Sequence, residues 1–142
     1  MIASERKDGP RYGESQLVRP RLGQRSFRAL VADIYQRRCA VTQERVLPAL
    51  EAAHILPYAE GGAHAATNGL LLRRDIHGLF DEGYVTVTPQ IRFEVSRRIH
   101  DDFDNGKGYC ALHGRLIAAP QAAALRPDPA VLAWHNDHRF KG

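Results

Sequence analysis

The stretch that most limits what this chain can fold into lies between residues 49 and 83. Residues 49–55 form a short, mostly apolar run that Pro57 brings to a stop. Residues 57–67, "PYAEGGAHAAT", read as a loop, with Gly61-Gly62 supplying backbone freedom. "NGLLL" then opens on an Asn-Gly turn signal and continues as a second short strand. "RRDIHGLFDEG" places Ile76, Leu79 and Phe80 on one helical face, and Gly83 supplies a C-terminal stop. The order is strand, long loop, strand, helix. His54 falls near the end of the first strand, Asn68 at the start of the second, and His77 on the helix. A hairpin with the helix packed across it would bring these three to one small cavity.

The flanks extend this plan. Residues 1–23 are rich in Gly, Pro and Arg without an apolar period and read as an arm or linker. After "RPRLGQ", Phe27, Leu30, Val31, Ile34 and Tyr35 make a continuous helical stripe. "CAVT" reads as a short strand and "TQE" as a turn; "YVTVTPQIRFEV" reads as a hairpin about residues 88–90, and "PAVLAWHN" as a short helix. At 142 residues this is an α+β chain of one domain.

Composition narrows the function classes. With 44% hydrophobic and 25% charged residues, the chain is not a disordered one. Cys39 and Cys110 have no CxxC partner, which excludes a four-cysteine zinc site; buried free thiols are expected, with a single disulfide between them as the alternative. No apolar run approaches the roughly 18 residues of a membrane span. The polar start "MIASERKDGPRYGES" lacks the apolar core of a secretory signal, so a soluble cytoplasmic protein is expected. Charge is unevenly spread: residues 1–38 carry nine Lys or Arg against four Asp or Glu, and the rest carries eleven against twelve. Seventeen of the twenty basic residues are arginine, whose planar fork suits phosphate oxygens, so the basic arm points to a polyanionic partner.

Hydrolysis of a phosphodiester needs an activated water, relief of negative charge on the phosphate and a stabilised leaving oxygen. A neutral imidazole accepts the proton from water near neutral pH. A divalent cation relieves the charge. An asparagine amide is no base, but its hydrogen bonds can hold a loop in place.

These residues resemble the HNH endonucleases, which have the ββα-metal fold. His54, Asn68 and His77 match that family's H, N and H in order and spacing, within "AAHILPYAEGG", "NGLLLRRDIHGLFDEGY" and, upstream, "RRCAVTQE". The likeness is greatest to bacterial HNH restriction endonucleases, in which "RPRLGQ" and its helix precede the core and "YVTVTP" and "LAWHN" follow it. It implies an α+β fold with a ββα-metal core over 39–88, inside one nuclease domain at 19–142. Residues 1–18 would then be a basic arm or linker, and an N-terminal helix and C-terminal hairpin and helical elaborations would flank the core.

The resemblance further implies that His54 is the general base, that Asn68 holds the loop and orients His54, and that His77 binds a divalent metal. Mg²⁺ is the first choice of ion, with Mn²⁺, Ni²⁺ or Zn²⁺ as alternatives. Ala53 departs from the family, which commonly has a metal ligand immediately before the first histidine; Asp81, one turn beyond His77, is the substitute named here. Gln43 stands where the family's turn often has glycine. His64, His100, His113, His135 and His138 match no part of the motif, and His64 is left as a loop residue without a role.

The implied activity is metal-dependent hydrolysis of DNA, double-stranded and in restriction or defence. The alternatives are an inactive or weak nucleic-acid-binding module and an RNase or toxin-type nuclease. Relatives often carry the nuclease as the C-terminal part of a longer chain with a separate or fused recognition domain. A homodimer would make double-strand cleavage straightforward, and no membrane partner is implied.

Overall fold

A computed structural model describes residues 23–142. The basic arm expected at 1–18 lies outside the described residues. Helix α1 (Gln24–Ile34) buries Phe27 and Val31, and Tyr35 continues the same stripe just beyond its end. That stripe packs on a two-stranded antiparallel sheet of β1 (Leu50–His54) and β2 (Gly69–Arg73), paired from Leu50 opposite Arg73 to His54 opposite Gly69. Helix α2 (Arg74–Glu82) follows β2 directly and seats Ile76 and Phe80 in the core. Gly83 ends it in the left-handed conformation at φ 85°, as a C-terminal glycine should.

A second antiparallel pair, β3 (Val85–Val87) and β4 (Phe93–Val95), forms the expected hairpin. Three further helices complete the described chain: α3 (Arg98–Phe103), α4 (Lys107–Cys110) and α5 (Pro129–His138). Helix α5 starts on Asp128, whose side chain caps the backbone of Ala130, with Pro129 in the first turn. Its Val131 and Leu132 join the core that α1, the two hairpins and α2 share. Among the described residues, no helix is long and apolar enough to cross a membrane.

Several local expectations need correction. "CAVT" is a turn rather than a strand. Cys39 organises it: its Sγ accepts from the Thr42 N–H, its carbonyl accepts from the Gln43 N–H, and its own N–H donates to the Glu44 carbonyl. Gln43 sits at φ 66°, a conformation that costs a residue with a Cβ about 1–2 kcal/mol. Its side-chain amide offsets part of that cost through a hydrogen bond to the Cys39 carbonyl.

Asn68-Gly69 is not a two-residue hairpin turn either. Asn68 closes a 3₁₀ turn, and Gly69 is extended at φ −124° within β2. Glycine is required there by packing, because a Cβ would lie 2.6 Å from Val31 Cγ2. Of the two cysteines, both free, Cys39 is buried but Cys110 is exposed.

Candidate active site

Strand alternation decides which side chains of β1 face the cavity. Ala52 and His54 line a cavity of about 340 Å³ together with His77 and Asp81 of α2, Pro57 and Tyr58 of the following loop, and Arg139 just past α5. Ala53, between them, is fully buried in the hydrophobic core. An acidic side chain at 53 would therefore begin on the core side of the strand, which accounts for the apolar residue found there.

His54 is half-buried, and its ring lies flat on Phe27 of α1 with centroids 4.1 Å apart. Its Nε2 is 2.8 Å from Nδ1 of His64. Burial above all, and then the nearby His64 and His77, push its pKa down to about 4, against an opposing pull from Asp81. The imidazole is therefore neutral at physiological pH, the form a base requires.

His77 is held at both nitrogens. Its Nδ1 lies 2.7 Å from Glu51 Oε1 and its Nε2 3.2 Å from Asp81 Oδ2. Its pKa is raised, first by the hydrogen bond to Asp81 and also by that to Glu51, which together outweigh burial. Asp81 thus stands one helical turn from His77 on the cavity side. Asp75 does not: it pairs with Arg73 at 2.8 Å and accepts from the Tyr109 hydroxyl.

Asn68 does not line the cavity. It is buried behind the loop, where Oδ1 accepts from the Leu56 N–H at 2.9 Å and Nδ2 donates to the carbonyls of Leu56 and Ala63 at 2.9 and 3.0 Å. Its three bonds close the segment between His54 and His64 into a fixed loop. Gly62 is packed into the same closure, since a Cβ there would lie 1.8 Å from the Leu56 carbonyl oxygen.

Two participants escape sequence reasoning. His64, given no role there, is the hydrogen-bond partner of His54 and stacks on Tyr58 with ring centroids 4.3 Å apart. Glu51 holds the far side of His77 and also pairs with Arg74 at 3.2 Å. The only sequence signals were a histidine in a loop tightened by Gly-Gly and an acid in an otherwise apolar strand. His135 borders the cavity, but Nδ1 engages Thr86 and Nε2 the Phe80 carbonyl, so its ring is structural. His113 is likewise occupied, with Nδ1 accepting from the Val95 N–H.

The donor set for a cation is sparse. Among the described residues, no three His, Cys, Asp or Glu side chains form a group that could hold a metal. His77 and Asp81 offer two donors on one helix face. One imidazole and one carboxylate fit a divalent ion that keeps waters and takes substrate phosphate as further ligands. That pair is too small to enclose a four-coordinate zinc by itself.

A two-stranded antiparallel hairpin followed at once by a helix, with a histidine from each facing one cavity, is the arrangement of ββα nucleases. Residues 39–88, the hairpin and helix that build the cavity, match the family described as HNH endonuclease. No curated protein sequence shows significant similarity to it. Among solved structures, a "Modification dependent TagI restriction endonuclease" superposes with a TM-score of 0.56 at 20% identity, a likeness of fold. The match covers 89% of this chain but 40% of that one, so the chain spans well under half of that protein's length.

Proposed function

We propose that this chain is a metal-dependent endonuclease that hydrolyses double-stranded DNA at the cavity between β1 and α2, and that it acts in restriction. The observation that carries the reading is the placement of a neutral His54 in one cavity with the His77–Asp81 pair. In this reading His54 takes a proton from water, the resulting hydroxide forms a bond to phosphorus, and the bond to the 3′ oxygen breaks with its electron pair. His77 and Asp81 would hold the divalent ion, with Mg²⁺ the first choice and Mn²⁺, Ni²⁺ or Zn²⁺ the alternatives that an imidazole donor admits, and the ion would neutralise charge on the phosphate and the departing oxygen.

The remaining side chains orient these groups. Glu51 accepts a hydrogen bond from His77 Nδ1 and so directs Nε2 toward the cavity. Asn68 acts at one remove, by fixing the loop that follows His54. Arg139, ion-paired with Glu60 and stacked near Trp134, supplies a guanidinium on the cavity wall that suits a phosphate oxygen. Double-stranded DNA as substrate and a role in restriction rest on the arginine-rich N-terminal quarter and on the likeness in fold to a restriction enzyme.

Substrate class is tested by incubating the protein with supercoiled plasmid, single-stranded DNA and RNA, each with Mg²⁺, Mn²⁺ or Ni²⁺. Plasmid nicking and linearisation in preference to RNA cleavage is the expected result. A clear preference for RNA would overturn the DNA assignment. Glu51→Gln tests the support of His77: it should weaken Mn²⁺ binding, measured by calorimetry, by about 10- to 100-fold. Unchanged affinity would remove Glu51 from the account.

A further inference from the structure

His64 is the side chain that the reading above leaves without a task, and its position is the most specific feature of the loop. Its Nδ1 lies 2.8 Å from His54 Nε2, so one of the two nitrogens donates and the other accepts. Among the described residues, this is the hydrogen bond that the His54 ring makes. Two constraints fix His64 from either side. Its ring stacks on Tyr58, with an interplanar angle of 5°. The residue before it, Ala63, is tied through its carbonyl to buried Asn68. His54 is fixed independently, stacked on Phe27 at an interplanar angle of 11° and placed by the last register position of β1.

We propose that His64 is a positioning residue that selects the tautomer of His54: it accepts the Nε2 proton and leaves the Nδ1 lone pair as the basic nitrogen. This role rests on His54 being the base. When Nδ1 takes a proton from water, the ring becomes an imidazolium whose Nε2–H is a stronger donor. The His54–His64 bond therefore tightens as charge develops, and an interaction stronger in the transition state than in the ground state raises kcat rather than affinity. The Nε2 proton stays on His54 throughout, and the proton gained at Nδ1 passes to solvent after cleavage. Asn68 thereby reaches His54 through Ala63 and His64, which gives a physical route for an amide that is not in the cavity.

Three variants separate this hydrogen bond from packing. His64→Phe keeps a flat ring for Tyr58 but has no acceptor. His64→Asn offers an amide at the place of Nδ1. His54→Ala reports on the base itself. In plasmid cleavage with saturating Mg²⁺, His64→Phe should lower kcat about tenfold or more with KM nearly unchanged, and His64→Asn should recover a substantial part of that loss. Long-range ¹H–¹⁵N spectra of the metal-free protein should show His54 protonated at Nε2 in the wild type and a mixture of tautomers in His64→Phe. Wild-type kcat in a folded His64→Phe protein, with His54→Ala inactive, would overturn the role of His64 while leaving the base in place. An Nδ1–H tautomer of His54 in the wild type would overturn it directly. Full activity of His54→Ala would instead overturn the base assignment, and this role with it.

Discussion

Replacing His54 by alanine is expected to lower the rate of DNA cleavage by about 10²–10⁴-fold, the usual contribution of a positioned general base, while the protein stays folded. The side chain is half-buried at the last position of β1, so its loss trims contacts with Phe27 and His64 without opening the core. The pH profile carries the same signature. Burial and the neighbouring histidines hold the His54 pKa near 4, below the ordinary value of 6.5. The neutral base is thus fully populated at pH 7, and its loss by protonation sets in only as pH falls toward the depressed value. The acid limb of kcat should accordingly lie below pH 6.5 and vanish in His54→Ala. A single-turnover rate measured from pH 4.5 to 8 checks both statements. An acid limb that survives the substitution would assign it to another group.

The second large effect falls on stability. Asn68→Ala removes three hydrogen bonds and leaves the Leu56 N–H and the carbonyls of Leu56 and Ala63 without their side-chain partner in a buried loop. Each deserted buried group costs about 1–3 kcal/mol, and they do not add fully, so a loss of about 3–5 kcal/mol is expected. Against a total stability of about 5–15 kcal/mol, that is a large fraction. Asn68→Asp should be no better, since it keeps the acceptor for Leu56 but turns an anionic oxygen toward the two carbonyls. Urea unfolding of the wild type and both variants measures the effect. A loss of under about 1 kcal/mol in Asn68→Ala would mean that the loop closes without the amide.

The contrast between these two residues shows what sequence patterning can convey. The strand–loop–strand–helix order is legible because each element carries its own period and its own punctuation: Pro57, Gly61-Gly62 and Gly83. It places His54 and His77 on neighbouring elements that share a cavity wall. The "CAVT" turn is not legible, because a short run ending on the β-branched pair Val41-Thr42 suits a strand. The outcome is decided by the Cys39 sulfur and carbonyl and by a residue in the left-handed region. Gly69 shows the same limit, since its requirement comes from Val31 of a helix distant in sequence.

Side chains that act through others leave the faintest trace. Glu51 meets His77 across 26 positions, and His64 meets His54 only because Asn68 folds the intervening loop back on β1. Neither contact follows from helix or strand periodicity. Asp81 is legible where these are not, because i and i+4 on a helix are neighbours by geometry alone.

The central claim, that the cavity between β1 and α2 is a metal-dependent phosphodiesterase site, is tested most directly by titrating Mg²⁺ against plasmid cleavage in the wild type and in His77→Ala. EDTA should abolish cleavage by the wild type, and His77→Ala should lose activity that high Mg²⁺ only partly restores. Wild-type cleavage that persists in EDTA, or a His77→Ala protein with an unchanged Mg²⁺ dependence, would contradict it.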